Sequence, residues 1–171
     1  MKENTKKLAL AGLFTAAAVA GSLLSLPIAG SKCAPVQHMV NILAAVLLGP
    51  GWGVAIAFCA SLLRNLMGLG SLMAFPGSMI GALCCGLVYY KVRSLAAACV
   101  AEAFGTGILG GLCAYPVAKL LMGLVPAAVT VYIIPFLIST VAGSILAFLL
   151  LGILQKNGVL ARMQEAVQAR A

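Results

Sequence analysis

Charge, and acidic charge above all, is scarce in this chain. Of its 171 residues only three are acidic, Glu3, Glu102 and Glu165, and charged residues make up 8% of the whole. A soluble domain of this size solvates its surface with far more charge, so that class is excluded. Histidine occurs once and tryptophan once. No H-E-x-x-H motif, Ser/His/Asp set or paired-acid motif is legible, which argues against an intramembrane enzyme. A G-x-x-x-x-G-K-[ST] loop is also missing, so the chain does not hydrolyse ATP by that route. There is no C-x-x-C among Cys33, Cys59, Cys84, Cys85, Cys99 and Cys113. No His or acidic residue stands at metal-ligand spacing from them, and five lie in apolar runs, where a free cysteine acts as a small hydrophobe. No metal and no cofactor is expected.

What remains is apolar. The chain is 63% hydrophobic and its mean hydropathy is +1.14. Runs of about 20 apolar residues, each long enough to cross a hydrocarbon core of roughly 30 Å, recur along it. The expectation is one all-α integral membrane domain over residues 1–171, with the lipid bilayer of the cell membrane as its solvent. Nineteen glycines suit close helix–helix approach, where lipid supplies no hydrophobic drive. A net charge of +8 would suggest nucleic acid in a soluble protein. Here it marks orientation, because basic residues collect in cytoplasmic loops. No nucleic-acid partner is expected.

In chain order, a basic head (residues 1–7) precedes an apolar run over residues 8–28. The run is long for a signal sequence, and Lys32 before Cys33 spoils a lipoprotein-type site, so it reads as a retained first helix. Gly12, Ala16 and Ala20 fall four apart on one face, a small-sided stripe suited to docking another helix in this chain or in a partner. A polar connection (29–36) leads to a shorter second helix (37–49), ended by Gly49-Pro50-Gly51. Further helices are expected over 52–67, 73–90, a glycine-broken 95–122 and 129–154. A polar, helical tail follows from residue 156.

Six spans with both termini cytoplasmic put eight basic residues inside (Lys2, Lys6, Lys7, Lys91, Arg93, Lys156, Arg162, Arg170). Three then lie outside (Lys32, Arg64, Lys119), as the positive-inside rule requires. The stretch RNLMGLGSLMAFPGS (64–78) is the polar knot of the sequence. Unpaired amides and charges are costly in hydrocarbon, so these groups are expected at the rim of a cavity. His38, Asn41, Arg64, Asn65, Ser78, Tyr115 and Lys119 converge on the outer half, with Phe75, Tyr115 and Tyr132 as aromatic walls. Such a set describes a small-molecule site. Glu102 is the one acidic residue inside a span. It lies about 25 Å from Lys119 along a straight helix. Either the helix bends, or Glu102 belongs to a deeper or coupling site; the structural alternative is a protonated or hydrogen-bonded carboxyl.

The segments SKCAPVQHMVNILAAVLLGP (31–50), RNLMGLGSLMAFPGSMIG (64–81) and EAFGTGILGGLCAYP (102–116) resemble the ThiW family, substrate-binding S components of energy-coupling factor (ECF) vitamin transporters. The resemblance covers nearly the whole chain. It implies capture of hydroxyethylthiazole, the thiazole precursor of thiamine, from outside. It also implies docking through small residues of the first helix, here Gly12, Ala16 and Ala20, onto a transmembrane coupling subunit driven by two ATPases. Residue types alone are compatible with a neutral heteroaromatic alcohol, and equally with an anion held by Arg64 and Lys119. A structural or assembly protein of the membrane, or an S component for a different small ligand, is the alternative.

The topology predicts the outcome of cysteine-accessibility labelling on a cysteine-free background. A cysteine at position 32 is expected to react with an impermeant reagent from outside, and labelling only from the cytoplasmic side would overturn the orientation.

Overall fold

The computed structural model describes residues 2–28 and 31–168. Helix α1 runs from Lys2 to Gly21, so the basic head is itself helical. After a short 3-10 turn, Ser22–Leu24, the strands β1 (Leu26–Ile28) and β2 (Ser31–Cys33) pair antiparallel, Leu26 opposite Cys33 and Pro27 opposite Lys32. Then come α2 (Pro35–Leu48) and α3 (Pro50–Leu66). Helix α4 is Ala74–Val92 and α5 is Leu95–Leu121. Helices α6 (Ile133–Lys156) and α7 (Val159–Gln168) complete the described residues.

Three expectations are corrected here. The first helix stops at Gly21 rather than continuing to Ile28. Pro27 explains this, since it lacks an amide donor and biases Leu26 towards extended backbone. The polar connection is a β-hairpin, of which residues 29 and 30 lie outside the described residues. The last long helix starts at Ile133, not at residue 129, which puts Pro135 in its first turn, where no amide donor is needed.

Among the described residues four helices, α1, α4, α5 and α6, are long and apolar enough to cross a membrane. Helices α2 and α3 are shorter, at 14 and 17 residues. Helix α2 is apolar on every side from Ile42 to Leu48, all of it buried, the pattern of a helix enclosed by others. Its neighbours are α1, α3, α4 and α6. Its N-terminus does not reach the end of the bundle. The Ala34 amide donates to Ser139 Oγ at 2.8 Å, about two turns inside α6.

Helix α5 widens to π geometry over Gly105–Gly110 and again over Val117–Leu121. The first of these turns lies against α4 with almost no side chain between them. A Cβ on Gly110 would come within 2.6 Å of Gly77 Cα, and one on Gly105 within 3.0 Å of Gly81 Cα. This seam brings the flanking side chains of the two helices together, as small residues do where backbones touch. Gly110→Val is therefore expected to destabilise the protein by about 1–3 kcal/mol through overpacking. Gly12→Ala, where an added Cβ meets nothing within 4 Å, is expected to be neutral. Thermal unfolding of both variants in detergent checks the pair, and equal melting temperatures would discount the seam.

Candidate functional site

At the hairpin end of the bundle a cavity opens between the start of α2, the end of α3, the start of α4, the middle of α5 and the first half of α6. Its empty space, mouth included, is about 360 Å³, of which about 30 Å³ admits the centre of a water-sized sphere. It is a tight slot, with room for about two water molecules as it stands. Gln37, His38, Arg64, Ser78, Thr106 and Ser139 supply its polar wall, Phe136 its aromatic one, and Lys32 and Ser71 stand at its rim.

Glu102 organises the wall from behind. It is 0% exposed, and its Oε1 accepts from His38 Nδ1 at 3.1 Å, Asn41 Nδ2 at 3.2 Å and Thr106 Oγ1 at 3.2 Å. The i, i+4 spacing sets Thr106 above Glu102 on one face of α5. With Glu102 ionised and His38 neutral, the carboxylate only accepts, which puts the His38 proton on Nδ1. That leaves Nε2, which has no hydrogen-bond partner among the described residues, to the cavity that the ring lines. Asn41 Nδ2 also reaches the Ser78 carbonyl at 3.3 Å. A hydroxyl relay runs beside it, with Gln37 Nε2 donating to Ser61 Oγ at 3.2 Å and Ser61 Oγ lying 3.0 Å from Ser78 Oγ. The second carboxylate oxygen, Oε2, has no partner and lies beside Gly81, where a Cβ would come within 2.8 Å of it.

Arg64, in the last turn of α3, is 2% exposed. Its Nε has no hydrogen-bond partner and it makes no ion pair among the described residues. Its carbonyl receives the amides of Leu69 at 2.8 Å and Gly70 at 2.9 Å, which folds the α3–α4 connection back over the helix end. Asn65 Nδ2 ties the same connection down by donating to the carbonyls of Ser61 at 2.8 Å and Ser71 at 3.1 Å. Lys32 Nζ, from β2, donates to the Gly68 carbonyl at 3.0 Å. Hairpin and connection thus form one continuous rim.

Of the ten residues expected at the site, His38, Arg64 and Ser78 line the cavity, with Asn41 and Glu102 bonded directly behind them. The other five stand elsewhere. Asn65 holds the connection. Phe75 pairs with Phe58, ring centroids 5.6 Å apart. Lys119 is exposed, with Nζ 6.0 Å from the centroid of Tyr115, and neither lines the cavity. Tyr132 is buried in a separate apolar cluster with Met73, Ala114 and Ala118. Glu102 meets His38 because the short α2 starts deep in the bundle, which an outer-interface placement of His38 did not foresee. Sequence reasoning also missed Lys32, Gln37, Ser71, Thr106, Phe136 and Ser139. The i, i+4 step from Glu102 to Thr106 was a usable signal, whereas nothing in the sequence announced the hairpin that delivers Lys32.

Gly12, Ala16 and Ala20 are exposed on α1. Gly12 and Ala16 border an apolar groove against Trp52, Ala55 and Cys59 of α3.

A family model described as thiamine-precursor transporter protein (ThiW) matches residues 8–157. The chain belongs to the ThiW family. No curated protein matches it. The family match spans every side chain named around the cavity, from Lys32 to Ser139. Membership places this ThiW-family chain among the transporters of thiamine precursors, and its long apolar helices make it a multi-pass membrane protein.

Glu102→Ala is expected to lower unfolding stability by about 1–3 kcal/mol, because it strands buried donors of His38, Asn41 and Thr106. Phe75→Leu, away from this cluster, is expected to cost less. Chemical or thermal unfolding compares them, and a smaller loss for Glu102→Ala would deny the carboxylate its organising role.

Proposed function

We propose that the chain is the substrate-capturing S component of an ECF-type transporter, taking hydroxyethylthiazole from the outer side of the cell membrane. The observation that carries this reading is the tight slot in which His38, Arg64, Ser78 and Phe136 converge, in a chain of the thiamine-precursor transporter family. In this reading the chain crosses the membrane six times with both termini cytoplasmic, the shorter α2 and α3 included. The slot then opens outwards, opposite the basic cytoplasmic end. Phe136 offers a face for the thiazole ring. His38 Nε2 accepts the hydroxyl proton, held to that task by Glu102, and the serine hydroxyls and Gln37 serve the remaining polar atoms.

The chain binds without chemical change, so the ligand is recovered intact and no enzyme activity is involved. Energy comes from a transmembrane coupling subunit and its ATPases. The exposed small residues Gly12, Ala16 and Ala20 on α1 give that subunit a smooth face for close helix crossing. A purely structural role in the membrane leaves the buried Arg64, whose Nε has no hydrogen-bond partner among the described residues, without a purpose.

Isothermal titration with hydroxyethylthiazole tests the pocket. His38→Ala and Phe136→Ala are each expected to weaken binding by about 1–3 kcal/mol, the cost of an unmet polar partner or a lost aromatic contact. Tyr115→Ala is expected to leave binding unchanged. The reverse pattern would move the site to the end of α5. Uptake by cells tests the docking face: Ala16→Trp should abolish transport while titration stays normal, and parallel loss of both would make the stripe internal packing.

A further inference from the structure

The charges facing the cavity are unbalanced. Arg64 and Lys32 both line it, and no carboxylate does. Lys32 spends one donor on the Gly68 carbonyl, but among the described residues Arg64 has no ion pair and its Nε has no hydrogen-bond partner. At 2% exposure this guanidinium has little water to replace them, and a buried cation without a counter-charge is costly. Among the described residues there is no remedy. The chain's three acidic residues are Glu3, Glu102 and Glu165. Glu3 stands at the start of α1 and Glu165 on α7, both at the end of the bundle away from the hairpin. Glu102 is occupied by His38, Asn41 and Thr106, and its remaining oxygen lies against Gly81. Ser139 in the wall and Ser71 at the rim add hydroxyl-bearing residues suited to anionic oxygens.

We propose that the cavity selects thiazole precursors carrying an anionic oxygen group, a carboxylate or a phosphate monoester, over the neutral alcohol, and that Arg64 sets this preference. The proposal rests on the thiazole reading above and adds the ligand's charge. The guanidinium presents planar paired donors that match carboxylate or phosphate oxygens. Lys32 contributes a second, more hydrated charge at the rim, and Phe136 keeps the ring.

Titration of the purified full-length protein with hydroxyethylthiazole, its phosphate monoester, a thiazole carboxylate and inorganic phosphate tests the idea. Either anionic thiazole is expected to bind at least tenfold more tightly than the alcohol, and more weakly as salt rises. Arg64→Gln should bring that preference below threefold, by weakening the anionic thiazoles far more than the alcohol. Lys32→Gln should reduce the preference less. The wild-type comparison decides even where Arg64→Gln fails to fold. An alcohol that binds as tightly as both anionic thiazoles overturns the charge preference and leaves the thiazole reading standing. Binding of inorganic phosphate with no thiazole bound keeps the anion site and overturns the thiazole reading. No binding by any of the four overturns both.

Discussion

One carboxylate oxygen holds the site together. Glu102 Oε1 receives donors from α2 twice and from α5 once, and Asn41 passes the connection on to the α4 backbone. Away from water each of these bonds is worth more than its surface counterpart, and each donor left unmet is costly. The three helices are thereby fixed in rotation as well as in distance. The His38 ring orientation, the position of Asn41 and the inner wall of the slot all follow from that one atom.

The carboxylate reaches its partners only because α4 and α5 lie so close. Gly77 and Gly81 on one helix meet Gly105 and Gly110 on the other, and a side chain at Gly81, Gly105 or Gly110 would push the helices apart, while one at Gly77 would meet the Phe136 ring of α6. At Gly81 the point is direct, since an added Cβ would run into Thr106 Oγ1 and Glu102. The π turn beginning at Gly105 falls just after Glu102 and carries Thr106 within it. Such turns are rare and frequent at functional sites. Here the turn aims a hydroxyl at both the Gly77 carbonyl and the carboxylate.

Much of this was legible without coordinates. Low charge and long apolar runs announced the membrane helices, and the cost of burying polar groups picked out His38, Asn41, Arg64 and Ser78. The cost argument identifies which residues need partners but not which partners they find. That is why Asn65, equally polar, turned out to hold a loop by local bonds to Ser61 and Ser71. Aromatic residues misled for a related reason. Phe75, Tyr115 and Tyr132 sit at suitable depths, yet burial of a ring is satisfied by any apolar neighbour, and helix rotation decided for Phe136. The hairpin was hidden because three-residue strands leave no periodicity to read. The depth of α2 was hidden because it depends on which helices surround it.

Wall and rim differ in how firmly they are made. The wall is a buried network anchored in helices whose backbones touch. The rim consists of the hairpin and the 67–73 connection, joined by an exposed Lys32–Gly68 bond and by the partly buried bonds of Asn65. Bonds of that kind contribute about 0.5–1.5 kcal/mol each, so parting the rim costs far less than disturbing Glu102. Gly68, at φ +72°, already holds a backbone conformation that other residues adopt with strain. Two short segments resting on a fixed floor are the least costly part of the molecule to move. The rim is therefore where the slot opens at least cost, with the helices and the charges they present left in place.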